Sequence, residues 1–223
     1  MASQLGHRLV YQQAKAAIQR AGYSAGQAVL SQSALRFEAA LSTTTANYKF
    51  DTLVNESLNG TTFVNQIKLN LQDAFVVSEV GFFIANPSSS TATDYRLFTY
   101  DNSIVFTPAA AAQGIRTVYS GTLQLVVNQR TIVDNWDVNR HYRVPIQQQA
   151  TNAYYATTGP AFQDANDQSV DGFFPCEPNW VLVGSKKNDF SLQLPAAPGS
   201  ILANSRVVVI LRGILAQNVT SVN

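Results

Sequence analysis

ANSRVVVILRGILAQNV, residues 203–219, contains one of the most apolar runs in the chain. Its unbroken part is Val207 to Leu211, five residues that lie between Arg206 and Arg212. A membrane-spanning helix needs about 20 apolar residues, so this run is too short to cross a bilayer. Aliphatic and β-branched residues followed by Gly213 instead predict a strand buried on both faces of a sheet.

The side chains of this strand alternate between two faces. We expect Val207, Val209 and Leu211 on one face and Val208 and Ile210 on the other. Both faces should be covered, because no polar residue interrupts the run. The residues from Gln217 onward then remain as a tail that either makes contacts or is disordered.

Similar patterns occur upstream of this strand. AFVVSEVGFFIA, residues 74–85, is apolar on both faces, and TFVNQIKLNL, residues 62–71, alternates in the way of a half-buried strand. Residues 94–107 and 179–196 each read as a hairpin, with turns at residues 101–103 and 184–189. One or two further strands are expected within residues 116–133.

These patterns predict a mainly β protein. Eight to ten strands follow one another between turn signals and do not alternate with helices, which favours an antiparallel β-sandwich, most simply a jelly roll, over a parallel α/β sheet. We assign this sandwich to residues 47–223 as one domain. A chain of 223 residues is long enough to bury a large core.

The first 46 residues have helical spacing instead, and we predict a helical N-terminal arm over residues 1–46. Two stripes separated by GYSAG, residues 22–26, carry the prediction: Tyr11, Ala14, Ile18 and Ala21, then Leu30, Ala34, Phe37 and Leu41. Both stripes are narrow and rich in alanine, so neither helix would be stable alone. We therefore expect the arm to order against a neighbouring subunit.

Charge is scarce and unevenly distributed. Charged residues make up 13% of the chain and the net charge is +1. Residues 1–37 contain no acid and carry four basic residues, whereas the remainder has 11 basic and 14 acidic residues. Protein interfaces are depleted in Lys, Glu and Asp, so this composition suits large contacts between subunits. The basic arm is expected to bind an acidic protein neighbour, with nucleic acid as the second option.

Residues for catalysis or metal binding are few. Cys176 is the only cysteine, His7 and His141 are the only histidines, and metal-ligand spacing and phosphate-binding glycine loops are absent. Asp137 and His141 have i, i+4 spacing but lie in an extended or looped stretch. We therefore predict a non-enzymatic protein without a cofactor or a metal, and leave open an irregular calcium site within Asp164–Asp171.

Residues 146–171 form the longest irregular stretch of the sequence. Compact domains seldom carry such a long loop unless it is functional. Amide groups and the pair Tyr154 and Tyr155 suit a contact surface, since tyrosine supplies area and a hydroxyl group at low entropic cost. We expect this loop at a subunit contact or a distal surface and not inside the sandwich, and replacement of both tyrosines by serine should weaken assembly while leaving the melting temperature of the monomer nearly unchanged.

The aromatic residues keep a second function open. Trp136, Trp180 and the tyrosines could line a sugar-binding face, as in β-sandwich lectins and adhesins. Both tryptophans lie beside strand segments, where core or rim positions are commoner. A carbohydrate-binding or adhesin module is therefore the alternative to a structural role.

Two stretches resemble a known class of proteins in their overall residue pattern. EPNWVLVGSKKNDFSLQLPAAPGS, residues 177–200, and RVVVILRGILAQN, residues 206–218, are similar to structural proteins of bacteriophage virions, especially capsid-type proteins with jelly-roll folds. The resemblance extends over residues 47–219. It implies a self-assembling capsid or capsid-associated subunit with an N-terminal arm that bridges subunits.

Several expectations follow from this resemblance together with the residue patterns. The chain should be made in the host cytoplasm, since its N-terminus lacks an apolar signal segment, and should end in the virion without a membrane span. Its partners should be further copies of itself and other virion proteins. The residues expected at subunit interfaces are Arg8, Tyr11, Lys15, Ile18, Arg20, Leu30, Phe37, Tyr154 and Tyr155.

Overall fold

A computed structural model describes residues 2–57, 63–102, 105–144 and 172–221, with side chains from Leu9 to Thr220. Two helices and eleven strands make up the described secondary structure. The helices are α1 (Ala2–Arg20) and α2 (Ala109–Tyr119), and a short 3-10 helix spans Val138–His141. The strands are β1 (Tyr23–Ser24), β2 (Val29–Ala40), β3 (Asn47–Phe50), β4 (Ala74–Ala85), β5 (Leu97–Phe98), β6 (Thr122–Val127), β7 (Arg130–Asp137), β8 (Phe173–Val183), β9 (Asn188–Gln193), β10 (Arg206–Gln217) and β11 (Thr220–Ser221).

The long strands form two sheets with antiparallel pairing throughout. Sheet 1 has the order β2-β10-β4, and both β8 and β5 pair with the far edge of β4. Sheet 2 has the order β3-β9-β6-β7. Strands β1 and β11 form a separate two-stranded ladder. The expectation of a mainly antiparallel β protein is confirmed.

One hydrophobic core joins the two sheets. Phe37 of sheet 1 meets Phe190 of sheet 2 edge to face, with ring centroids 5.8 Å apart, and Phe50 packs on Phe190 at 5.2 Å. The same cluster takes buried side chains from β4, β6, β8 and β10, and α2 adds Ile115 and Val118. Two antiparallel layers around a shared core are consistent with a β-sandwich.

Strand β10 lies at the centre of sheet 1 and confirms the expected alternation. Val207, Val209 and Leu211 belong to the core between the sheets, whereas Val208 and Ile210 pack with a second cluster on the outer face. The strand pairs with β2 on one side and β4 on the other. Neighbours on both edges and on both faces bury Val207, Val208, Val209 and Leu211 and leave Ile210 partly covered, which explains the unbroken apolar run.

The second predicted helix is wrong, because residues 29–40 form strand β2. This strand pairs with β10 over its full length, from Val29 opposite Gln217 to Ala40 opposite Arg206. Leu35 and Phe37 point into the core, and Arg36 between them does not. The apolar residues of this stretch are three or four positions apart, as in a helix, but the stretch also fits the period of two of a strand. It forms a strand because β10 pairs with all twelve of its residues. These residues therefore belong to sheet 1 and not to a helical arm.

Residues 63–71 are the described part of another predicted strand and form no regular strand. Ile67 makes an isolated bridge with Arg36, and Leu69 makes one with Leu53. Phe63 and Leu69 are buried as expected, but Ile67 and Leu71 are 53% and 54% exposed. The stretch runs past the edge of β2 as an irregular segment, so alternation within it does not continue.

The hairpin predicted for residues 94–107 is also wrong. Its described part contains only the two-residue strand β5, and Asp101 and Asn102, expected in a surface turn, are buried. Ser103 lies outside the described residues. Helix α2 follows, at the alanine-rich run that begins after Pro108, and was missed. Beyond it, β6 and β7 form a true hairpin whose turn residues Asn128 and Gln129 both have positive φ.

The predicted hairpin over residues 179–196 is half right. Strand β9, the second half of β8 and the turn between them are where the sequence placed them, but β8 begins at Phe173, before the predicted hairpin. They do not pair with each other, because β8 lies beside β4 in sheet 1 and β9 lies between β3 and β6 in sheet 2. The chain crosses from one sheet to the other at this turn.

Candidate functional site

The outer face of sheet 1 holds a buried ionic cluster, which we call the arginine cluster: Arg36, Glu38, Tyr95 and Arg206. Arg36 Nε donates to Glu38 Oε1 at 2.9 Å, and Arg206 Nη1 donates to Glu38 Oε2 at 2.9 Å. The Tyr95 hydroxyl donates to Glu38 Oε1. Glu38 is 3% exposed and Arg206 is 2% exposed, so the pair is almost fully removed from water.

Neighbouring groups complete the arginine cluster. The Arg206 guanidinium stacks on the rings of Phe63 at 4.6 Å and Tyr95 at 4.7 Å, and Arg206 Nη2 donates to the carbonyl oxygen of Ser90 at 3.2 Å. Burial and the hydrogen bond to Glu38 raise the pKa of Tyr95. The cluster fastens the segment that contains Ser90 and Tyr95 over the sheet, and its chemistry is that of a structural clamp.

His141 is a second buried polar centre. Its Nδ1 lies 2.8 Å from the carbonyl oxygen of Gly172, and Trp136 Nε1 donates to His141 Nε2 at 2.8 Å. Nδ1 must therefore carry the proton in the neutral ring. Burial lowers the pKa of His141 to about 4. The ring ties residue 141 to residue 172, and neither nitrogen is left for a substrate.

Asp137 does not pair with His141 as the i, i+4 spacing suggested. Its carboxylate accepts the backbone N–H of Asn139 at 2.9 Å and so caps the 3-10 helix.

Cys176, the other residue weighed for chemistry, is 1% exposed. Burial raises the pKa of its thiol to about 12, so the thiolate is scarce at neutral pH.

Asp101 anchors helix α2 to the body. Arg116 Nε donates to Asp101 Oδ2 at 2.6 Å, and the Tyr142 hydroxyl donates to Asp101 Oδ1. The Tyr119 hydroxyl donates to the carbonyl oxygen of Phe98 at 2.8 Å. These bonds connect α2 with the segments on either side of it. They give each oxygen of this buried carboxylate a hydrogen-bond donor.

The described surface has an open groove of about 560 Å³ near the end of β10. Its lining combines two exposed aliphatic side chains, Val54 and Leu71, with amide groups such as Asn70 and Gln217. Asp73 is the charged residue of the lining. Its carboxylate accepts the Asn218 backbone N–H and the Asn70 side-chain amide, each at 3.3 Å. No salt bridge to Asp73 occurs among residues 9–57, 63–102, 105–144 and 172–220.

Helix α1 lies on the outer face of sheet 1. Ala14, Ala17 and Ile18 are buried there in a cluster with residues of β4, β8 and β10. The expectation that this helix would order only against another subunit is wrong, because the chain supplies the apolar surface itself. The earlier part of the helix is less covered, since Leu9 is 54% and Val10 41% exposed.

The residues expected at interfaces fall into buried, partly buried and exposed positions, and some lie outside the described residues. Ile18 and Phe37 are fully buried within their own chain, and Tyr11 and Leu30 are partly buried against the cluster under α1. Lys15 and Arg20 are exposed on α1. The Arg8 side chain, Tyr154, Tyr155, the long loop at residues 146–171 and the calcium candidate at residues 164–171 lie outside the described residues.

Comparisons with known proteins returned no relatives. No family model, no curated protein and no solved structure matches this chain. Within the described ranges, no helix is long and apolar enough to cross a membrane. The same residues contain no group of three or more His, Cys, Asp or Glu side chains placed to hold a metal ion.

Proposed function

We propose that this chain is a non-enzymatic structural protein of a virus particle, a capsid or capsid-associated subunit that assembles with further copies of itself. We also propose that its long strands form a jelly roll. The observation that carries both proposals is the order of the strands. Fold alone does not determine function, so the surface features below are needed to choose among jelly-roll proteins.

The strand order supports a jelly roll in detail. Eight strands lie in two rows of four, β2-β10-β4-β8 and β3-β9-β6-β7. Consecutive long strands change sheet at every step except β6 to β7, which form a hairpin. An antiparallel chain that winds back and forth between two four-stranded sheets is the arrangement found in viral capsid domains, lectins and cupins.

The composition of the surface favours assembly into oligomers over a monomer. The exposed aliphatic side chains include Val54, Val64, Ile67 and Leu71, all on the segment between β3 and β4. Together with a charged fraction of 13%, they suit a subunit whose surface is covered by neighbours.

The tryptophans weaken the carbohydrate-binding alternative. Trp136 and Trp180 pack against each other edge to face, with ring centroids 5.0 Å apart, and Trp180 is 5% exposed. The Arg140 guanidinium lies 4.2 Å from the centroid of the Trp136 ring. A sugar ring needs an open aromatic face, and these two rings are already in contact with protein groups.

Electron microscopy with light scattering tests the proposed function. Purified chain at micromolar concentration should form closed symmetric rings or shells with a mass that is a multiple of the subunit mass of 24.3 kDa. A monomer at all concentrations would contradict the proposal. A monomer that also binds oligosaccharides on a glycan array would support the alternative.

A further inference from the structure

Lys68 and Asp51 form a buried pair beside the end of β3. Lys68 Nζ lies 3.5 Å from Asp51 Oδ2, and the two side chains are 10% and 4% exposed. Arginine is always protonated, whereas a lysine amine that gives up its proton is a nucleophile. An amine and a carboxyl group held side by side are the two halves of an amide bond, so this pair has a chemistry that the arginine cluster lacks.

Backbone contacts hold both side chains in place. Lys68 Nζ donates to the carbonyl oxygen of Glu56 at 2.7 Å. The Glu56 carboxylate accepts the backbone N–H of Thr52, the residue after Asp51, at 3.0 Å. The backbone N–H of Leu69, the residue after Lys68, donates to the carbonyl oxygen of Thr52 at 3.0 Å. The two reactive groups therefore project from segments that are hydrogen-bonded to each other.

Proximity and burial both favour a reaction between the two groups. Well-oriented groups within one molecule react as if they were present at about 10⁵–10⁸ M. The separation of 3.5 Å is longer than a charge-assisted hydrogen bond of about 2.7–2.9 Å, so the amine lies beside the carboxyl group without being locked to one oxygen. The burial of two ions is costly, and their conversion to a neutral amide removes that cost.

We propose that Lys68 and Asp51 condense to an amide that links Nζ of the lysine to Cγ of the aspartate. The Nζ–Cγ bond forms, and the bond between Cγ and one carboxyl oxygen breaks. That oxygen leaves as water with two of the three ammonium protons, and the third stays on the amide nitrogen. Atoms and charges balance without an oxidant, a cofactor or a second chain.

The cross-link closes a ring that contains residues 51–68. Such a link restricts the unfolded chain in the way of a disulfide and thereby stabilises the fold. Cys176 is the only cysteine of the chain, so a disulfide within one subunit is not available to it. The ring includes the exposed side chains of Val54, Val64 and Ile67. This inference is independent of the proposed assembly, because both reacting groups belong to one chain.

Lys187 and Asp189 provide an internal control. Lys187 Nζ lies 3.2 Å from Asp189 Oδ1, closer than the atoms of the buried pair, but the side chains are 71% and 40% exposed. Water hydrates both ions of such a pair and keeps them charged. The exposed pair should therefore stay unlinked although its atoms are closer together.

Mass spectrometry of the purified, folded chain tests the bond. The intact mass should be about 18 Da below the mass calculated from the sequence, because one water is lost, and it should stay so in denaturant. In a tryptic digest the loss should lie in a peptide that is uncleaved after Lys68 and is branched at Asp51, while cleavage after Lys187 is normal. A chain with its full calculated mass and normal cleavage after Lys68 would overturn the proposal and leave an ordinary buried ion pair.

Lys68→Arg and Lys187→Arg are matched variants, since each keeps a cation beside its aspartate. Lys68→Arg should have its full calculated mass and a lower melting temperature than wild type, because its unfolded chain is no longer restricted. Lys187→Arg should lose water and melt as wild type does. If Lys68→Arg also loses one water, the bond lies elsewhere in the chain and the proposal is wrong. If Lys68→Arg does not fold, the digest of the wild-type chain decides.

Discussion

At the scale of single residues, the buried polar groups of this protein hold segments together. Glu38 accepts from two arginines and a tyrosine, and His141 bridges Trp136 and the carbonyl oxygen of Gly172. Each group is nearly inaccessible to water, so its cost of burial is offset only while its partners remain in place. Substitution of one member should therefore cost far more than substitution at an exposed ion pair.

Glu38→Gln should lower the free energy of unfolding by about 3–5 kcal/mol, because it leaves buried Arg206 without its anion. Glu79→Gln is the matched control, since Glu79 is 44% exposed and its oxygen lies 3.8 Å from Arg212. The control should cost less than about 1 kcal/mol. Urea denaturation of both variants measures the difference, and equal small losses would show that the arginine cluster does not clamp the sheet.

The pKa of His141 predicts an acid-sensitive stability. Its pKa falls from 6.5 to about 4 on folding, so the unfolded chain binds the proton first as the pH decreases. Stability contributed by the neutral ring is complete above pH 6.5, declines between pH 6.5 and pH 4 by about 3 kcal/mol, and stays constant below that.

Denaturation at a series of pH values checks this expectation for His141. The free energy of unfolding of His141→Gln should fall much less between pH 6.5 and pH 4 than that of wild type, and the remaining fall comes from carboxylates. The free energy of unfolding of His7→Gln should fall as much as that of wild type. An identical pH dependence for wild type and His141→Gln would disprove the role of this ring.

At the scale of secondary structure elements, pairing between distant strands determined the structure of segments whose local residue pattern was ambiguous. Residues 29–40 fit both a helical stripe and a strand, and β10 resolved the choice by offering a full-length neighbour. Strands β8 and β9 look like a hairpin in sequence, yet each finds a better partner in a different sheet. Gly213 lies opposite a bulge at Ser78 of β4, and a Cβ on Gly213 would lie 1.9 Å from the carbonyl oxygen of Val76.

Val209→Asp should abolish soluble protein, because Val209 is fully buried between the sheets and an unpaired carboxylate there costs several kcal/mol. Gln217→Glu introduces a carboxylate at the exposed end of the same strand and should be tolerated. The soluble fraction after expression and the melting temperature measure both. Unchanged melting of the Val209 variant would refute the assignment of β10 as a core strand.

At the scale of the whole molecule, the chain separates into a helix that can be removed and a body that cannot. Helix α1 contributes the buried residues Ala14, Ala17 and Ile18 to a small cluster outside the main core. Residues 29–40, by contrast, supply one edge of sheet 1 and part of the core itself. The division therefore falls after residue 20 and not at residue 46.

Two truncations test this division. Deletion of residues 1–20 should leave a folded body, with a lower melting temperature because the surface under α1 becomes exposed, and that body should fail to assemble. Deletion of residues 1–41 should give insoluble protein, since β2 is lost from sheet 1. Circular dichroism and light scattering distinguish the cases. A soluble, cooperatively melting product of the longer deletion would contradict the structure, and native oligomers from the shorter one would exclude an assembly role for α1.

Runs that are apolar on every side were predictable from the sequence alone. Residues 74–85 and 207–211 have no polar face to expose, so burial between neighbours is their one favourable state. The same reasoning excluded a bilayer span for the last run by length. Mainly β architecture and the positions of β4 and β10 follow from such local facts.

Only the tertiary structure decided which elements pair, and with that the surfaces open to partners. The choice of strand for residues 29–40, the separation of β8 from β9 and the burial of Asp101 all depend on groups distant in sequence. The groove between Val54 and Leu71 likewise arises where separate segments meet. A local pattern records the burial of a residue but not the identity of its neighbour, because pairing energy belongs to two segments at once.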